Sequence, residues 1–193
     1  MNNKNTLILV AGLMAMVFVA ASVFAYYPLS ITVSPVEPPV KFVRGDNAGH
    51  DDLGKDENGN SYTIDVKTYY DTRAEVTIHP TYQKTYYKDV LEITNSDSKA
   101  YNVYIRVNTT ITGFPAGSTI QLKIYASDAS RSEDEPIKTV SLTSPGLVSI
   151  GSLSGGDTWE VDVDVYIPEG STLPSAATAN LQLIYTPSSE RPP

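Results

Sequence analysis

The sequence has no cysteine, two histidines and a single tryptophan. Without cysteine, disulfides, thiolate nucleophiles and cysteine-based zinc centres are excluded. His50 and His79 lie far apart, and neither has the other at a metal-ligand spacing. Positive charge is scarce: 14 Lys plus Arg stand against 22 Asp plus Glu, for a formal net charge of −8. An acidic chain is repelled by phosphate backbones, which argues against nucleic acid as a partner and leaves the charge to favour solubility. No glycine-rich phosphate loop follows a strand and opens a helix. Gly151-Ser152-Leu153-Ser154-Gly155 has the outline of a nucleophile elbow, but Leu153 occupies the centre, where serine is required. Beyond residue 25 no segment sustains a 3.6-residue period, and the helix-like stretch 126–134 is short and polar. These gaps point to a non-enzymatic protein with no catalytic residues and no resident cofactor.

One region is apolar throughout. A polar start with Lys4 is followed by an uncharged run from Thr6 to Phe24, ending in Val23-Phe24-Ala25. A positive flank, an apolar stretch and a small residue at the exit make a secretory signal peptide, cleaved after Ala25. The competing reading is an uncleaved anchor, since about 20 apolar residues can span a bilayer. In both readings Lys4 stays inside, and no Lys or Arg follows the run until Lys41, so the rest of the chain is sent out. The expected localisation is secreted or cell-surface, with the membrane met only through this segment.

What the remainder does have is alternation. In Trp159-Glu160-Val161-Asp162-Val163-Asp164-Val165-Tyr166-Ile167 every odd position is apolar and every even one is charged or tyrosine. Side chains on a strand alternate faces, so this is a strand with one buried and one wet face. Segments 101–108, 120–125 and 179–185 repeat the pattern, and weaker strands are predicted at 40–44, 62–69, 73–79, 87–94, 137–142 and 147–150. Turn-forming clusters separate them: Asn95-Ser96-Asp97-Ser98, Ser144-Pro145-Gly146, Gly155-Gly156-Asp157 and Pro168-Glu169-Gly170. Thirteen tyrosines suit half-buried pleated surfaces. The expected fold is all-β, a jelly-roll-like antiparallel β-sandwich with an extended N-terminal strand after the signal peptide. The expected divisions are a signal peptide over 1–25, a strand and proline-rich linker over 26–39, the sandwich over 40–186, and a disordered tail over 187–193.

The mature N-terminus carries the main functional candidate. Tyr27, Leu29, Ile31 and Val33 alternate with Pro28, Ser30, Thr32 and Ser34, and then Pro35-Val36-Glu37-Pro38-Pro39 forms a stiff linker. A strand set apart in this way can insert into the open sheet of a neighbouring subunit, or it can serve as the first strand of its own sheet.

Three further candidates are weaker patterns. Asp56, Asn58 and Asn60 fall at positions 1, 3 and 5 of a calcium-loop spacing within the polar loop 45–60. Ser61 and Lys67 then occupy the places where glycine and glutamate are required, so the alternative is a solvated loop. Glu160, Asp162 and Asp164 line one strand face, where paired carboxylates can serve acid–base chemistry or hold a cation. Perfect alternation reads instead as a solvated face. Asn108-Thr109-Thr110 is an N-glycosylation sequon, with Asn108 placed on the wet face beside Asn102, Tyr104 and Arg106.

The order of features resembles a family. Signal peptide, isolated strand and linker precede an all-β domain. That domain contains Val90-Leu91-Glu92-Ile93-Thr94-Asn95-Ser96-Asp97 and, later, Gly155-Gly156-Asp157-Thr158-Trp159-Glu160-Val161. Over residues 26–36 and 86–186 this is similar to TasA/camelysin-type biofilm fibre subunits and the related archaeal bundling pilins. The resemblance implies a jelly roll whose N-terminal strand completes the sheet of the next subunit, with Leu29, Ile31 and Val33 as donated residues. It also implies a homopolymer that builds an extracellular filament or biofilm matrix. The chain lacks the short basic-plus-glycine leader of type IV pilins, whose N-terminus is helical. A monomeric or membrane-anchored cell-surface binding module, calcium-stabilised through residues 56–60, is the alternative expectation.

Overall fold

The computed structural model describes residues 3–4, 27–70, 72–174 and 176–193. The apolar run and the cleavage position expected at Ala25 lie outside the described residues. The chain divides at Val36 into two units, and every strand described below belongs to the unit Glu37–Pro193.

The larger sheet has five strands. In chain order these are β1 (Val40–Arg44), β6 (Gln83–Asn95), β8 (Thr119–Ala126), β9 (Lys138–Ser141) and β11 (Thr158–Ile167), arranged β1-β6-β11-β8-β9 and antiparallel throughout. The alternating segment 159–167 is its central strand. Trp159, Val161, Val163, Val165 and Ile167 are all buried on the inner face, as the two-residue period requires. The second sheet has three strands, β7 (Tyr101–Thr109) flanked by β10 (Gly146–Leu153) and β12 (Asn180–Thr186). Val103, Ile105 and Val107 of β7 join Ile93, Ile124, Val140 and Leu153 in one continuous core. Among the described residues there are also two small antiparallel pairs: β2 (Asp51–Lys55) with β3 (Ser61–Thr63), and β4 (Asp65–Tyr69) with β5 (Arg73–Thr77). The protein is thus all-β with antiparallel sheets, as the alternation predicts.

The two sheets are joined by close-approaching turns. Asn95, the last residue of β6, is wholly buried. Its side-chain amide donates to the carbonyls of Lys99, Leu153 and Ser154. Sequence reading assigns Asn95 to a hairpin loop, whereas here it ties two loops together from inside. Gly155 belongs to that junction, because a Cβ there would stand 2.4 Å from the backbone carbon of Ser98.

Three expectations need correcting. The loop predicted over 45–60 contains strand β2, whose pattern is too polar to register as a strand. The extended strand expected over the mature N-terminus is not formed: residues 27–36 have no strand, and the first strand among the described residues is β1, because no backbone ladder pairs with the earlier segment. Tyr104, placed on the wet face, is buried. Asn102 and Arg106 share its face and donate hydrogen bonds to the carbonyls of Ser188 and Pro193, so the tail crosses over the intervening Tyr104.

Candidate functional site

Residues 27–36 form no strand. Their alternating apolar side chains stand in solvent: Tyr27 is 88% exposed, Leu29 82%, Ile31 75% and Val33 80%. Large apolar side chains in a row are more often covered than exposed in folded chains.

The sandwich also has an incompletely covered seam. Strand β12 pairs with β7 on one side, and among the described residues no strand pairs with its other side. Leu181, Leu183 and Tyr185 lie opposite Val107, Ile105 and Val103, which places them on the inner face. Val107 is 2% exposed, yet its cross-strand partner Leu181 is 39% exposed. Three strands facing five leave the inner row of β12 without full cover. An edge of this kind presents unpaired backbone donors and acceptors to any incoming strand.

The acidic row on β11 is not a solvated face. Asp162 is wholly buried and accepts hydrogen bonds from the Tyr86 hydroxyl at 2.6 Å, the Asp89 backbone N–H at 2.7 Å and Arg131 Nε at 2.8 Å. Arg131 reaches Glu160 as well, at 2.6 Å, and lies over the Tyr125 ring. Asp164 is held by Lys123 at 2.8 Å and Lys84 at 3.6 Å. The alternation placed these side chains on the outer face correctly. It could not foresee that Arg131, delivered by the turn region after β8, covers that face. Burial, reinforced by the Asp162 hydrogen bond, pushes the Tyr86 hydroxyl well above its ordinary value. The Asp162 hydrogen bond does the same for the Arg131 guanidinium.

Asp56, Asn58 and Asn60 do come together in the β2–β3 turn. The Asp56 carboxylate accepts from the backbone N–H groups of Asn58 (2.9 Å) and Asn60 (2.8 Å) and from the Asn60 amide (3.0 Å). Those bonds, the Asn60 side chain's first, hold the Asp56 carboxyl below the usual carboxylate range. Asn108 is exposed near the end of β7. His50 is exposed, while His79 stacks on Tyr62 and places Nδ1 3.1 Å from the buried Asp52 carboxylate. Leu153, at the centre of the elbow-like segment, is buried within β10.

The fold also makes a cluster that the sequence conceals. Carboxylate oxygens of Asp46, Asp89 and Glu92 all lie within 4.8 Å of one another. Asp46 is in the turn after β1, and its backbone N–H donates to Asp89 Oδ2 at 3.0 Å across a separation of 43 residues. Asp89 sits where the β6–β11 ladder breaks. Leu91 pairs with Val161 and Tyr87 with Val163, so residues 88–90 face Asp162 alone, and Asp89 adopts φ +43°. Burial, and then neighbouring carboxylates, push the Asp89 and Glu92 carboxyls above their ordinary values. No short spacing links Asp46 to the other two, so nothing in the sequence pattern signals the cluster.

No protein-family model and no curated protein matches this chain. Among the described residues, no helix is long and apolar enough to cross a membrane.

The surface thus offers an uncovered strand-like segment, an unpaired strand edge over a partly open core seam, and a carboxylate cluster. The first two suit backbone-mediated assembly, and the third suits a hard cation.

Proposed function

We propose that this chain is the structural subunit of an extracellular filament. In this reading it assembles head to tail by laying residues 27–33 along β12 of the next copy. The observation that carries the reading is the alternating apolar row Leu29, Ile31 and Val33, with each side chain exposed. The exposed inward-facing Leu181 supports β12 as the acceptor. Strand addition draws affinity from main-chain hydrogen bonds and specificity from alternate side chains entering pockets. Burying Leu29, Ile31 and Val33 contributes about 1.5–3 kcal/mol each before ordering costs. The proline-rich Pro35–Pro39 linker is stiff and extended. A contact in which each subunit gives at one end and receives at the other does not close on itself, and it propagates as a fibre. The resemblance to TasA/camelysin-type fibre subunits points the same way.

Electron microscopy of the exported protein, with N-terminal sequencing of the same sample, tests this. Filaments whose subunits begin at Tyr26, together with a folded monomer when residues 26–36 are deleted, are the expected result. A monodisperse monomer that retains residues 26–36 overturns the proposal and leaves a monomeric surface-binding module.

A further inference from the structure

We propose that Asp46, Asp89 and Glu92 form a calcium site on the outer face of the five-stranded sheet. Their ligand oxygens lie within 4.8 Å of one another, a spread that one ion with oxygen contacts of about 2.3–2.6 Å can bridge. The residues come from two backbone segments, the turn after β1 and strand β6, so an ion here would pin the turn to the sheet.

A second observation points to a ligand. Asp89 is 4% exposed, and its Oδ1 is buried with no hydrogen-bond partner, whereas Oδ2 accepts the Asp46 N–H. A buried carboxylate oxygen left unmatched is costly, and such groups are ordinarily paired or bound to a metal. The neighbours do not relieve it. Glu92 stands directly across from Glu160 in the β6–β11 register, and Glu160 already shares Arg131 with Asp162. Like charges directly opposite destabilise a sheet, and a divalent cation reverses that sign.

The donor set selects the ion. Three carboxylates without nitrogen or sulfur suit a hard cation. Ligands supplied by a turn and a bulge lack the strict octahedral order that magnesium demands, and calcium tolerates such irregularity. Asp46 is exposed and Glu92 half-exposed, so water can complete the coordination. This site is separate from the Asp56–Asn60 turn, whose carboxylate is engaged by its own loop.

The test is calorimetric titration of the metal-stripped full chain with calcium chloride, combined with melting curves in calcium and in chelator. Asp46→Asn, Glu92→Gln and Asp56→Asn serve as variants. The expected result is about one calcium per chain and a melting temperature several degrees higher in calcium. Asp46→Asn and Glu92→Gln should each weaken binding by about tenfold or more. In chelator both should melt at or above the parent, because each removes one of the crowded charges. Asp56→Asn should titrate like the parent. Loss of a mere structural contact would lower the melting temperature in both conditions, so the opposite signs identify a metal ligand. The proposal is overturned if no saturable binding develops up to about 5 mM calcium, several-fold past the roughly millimolar weak end of extracellular calcium modules. It is equally overturned if Asp46→Asn and Glu92→Gln bind as the parent does.

Discussion

Asp162 shows how a single residue can read one way in a pattern and act another way in a fold. Its position on β11 assigns it to the outer face, and it is there, but wholly buried beneath Arg131 and Tyr86. A buried carboxylate is tolerated when paired and hydrogen-bonded, and breaking such a pair from one side leaves an uncompensated charge. Arg131→Met should therefore cost about 3 kcal/mol, at the low end for buried pairs because the Tyr86 hydroxyl and the Asp89 N–H still serve Asp162. Urea denaturation reads this directly, and a loss below about 1 kcal/mol would mean the pair behaves as an exposed one. No local pattern marks Arg131, which lies in a polar turn 29 residues from its partner Glu160 and 31 from Asp162.

At the scale of elements, strong alternation located β7, β8, β11 and β12 to within a residue or so, because each has one face against the core. Strand β2 leaves no trace in the pattern because Asp51-Asp52-Leu53-Gly54-Lys55 contains no alternation, and its pairing with β3 is set by the turn at Asp56 rather than by burial. Strand β12 is the element on which the assembly proposal turns. Its Leu181 faces inward yet remains partly in solvent, so a lysine there can snorkel out with little penalty to the monomer. Leu181→Lys is accordingly expected to reduce the stability of the isolated subunit by under about 1 kcal/mol. The same change should abolish or sharply reduce filaments, because an incoming Leu29–Val33 row would meet a charge. Filaments of normal abundance from this variant would move the acceptor to another edge.

For the whole molecule, stability against pH follows from tyrosines held in their neutral form. Tyr86 and Tyr87 both have hydroxyls pushed above the ordinary 10.0, chiefly by burial. Asp52 lies near the Tyr87 hydroxyl, which nonetheless meets no hydrogen-bonding geometry. Above pH 10 the unfolded chain loses these protons while the folded chain keeps them. The unfolded state then binds fewer protons, and stability falls as pH rises. Their contribution is thus complete below about pH 10 and declines above it. Melting temperature measured from pH 8 to 12 should drop beyond pH 10, and the slope should be shallower in Tyr86→Phe and Tyr87→Phe. An unchanged slope in both variants would assign the alkaline loss to other groups.

The sequence by itself determined the class of this fold, because alternation fixes which side chains share a face before any strand is paired. It also determined the alternating apolar row at 27–33 ahead of the prolines, although the strand expected there is not formed. Pairing decided the rest. Three strands facing five leave Leu181 open, a count that no local pattern contains. Asp46 meets Asp89 and Glu92 because β1 lies beside β6 and because β6 bulges opposite Asp162. Contacts between segments far apart in the chain depend on register and on the order of strands in a sheet. That is why the core was visible in the sequence while the seam, the buried Asp162 and the carboxylate cluster were not.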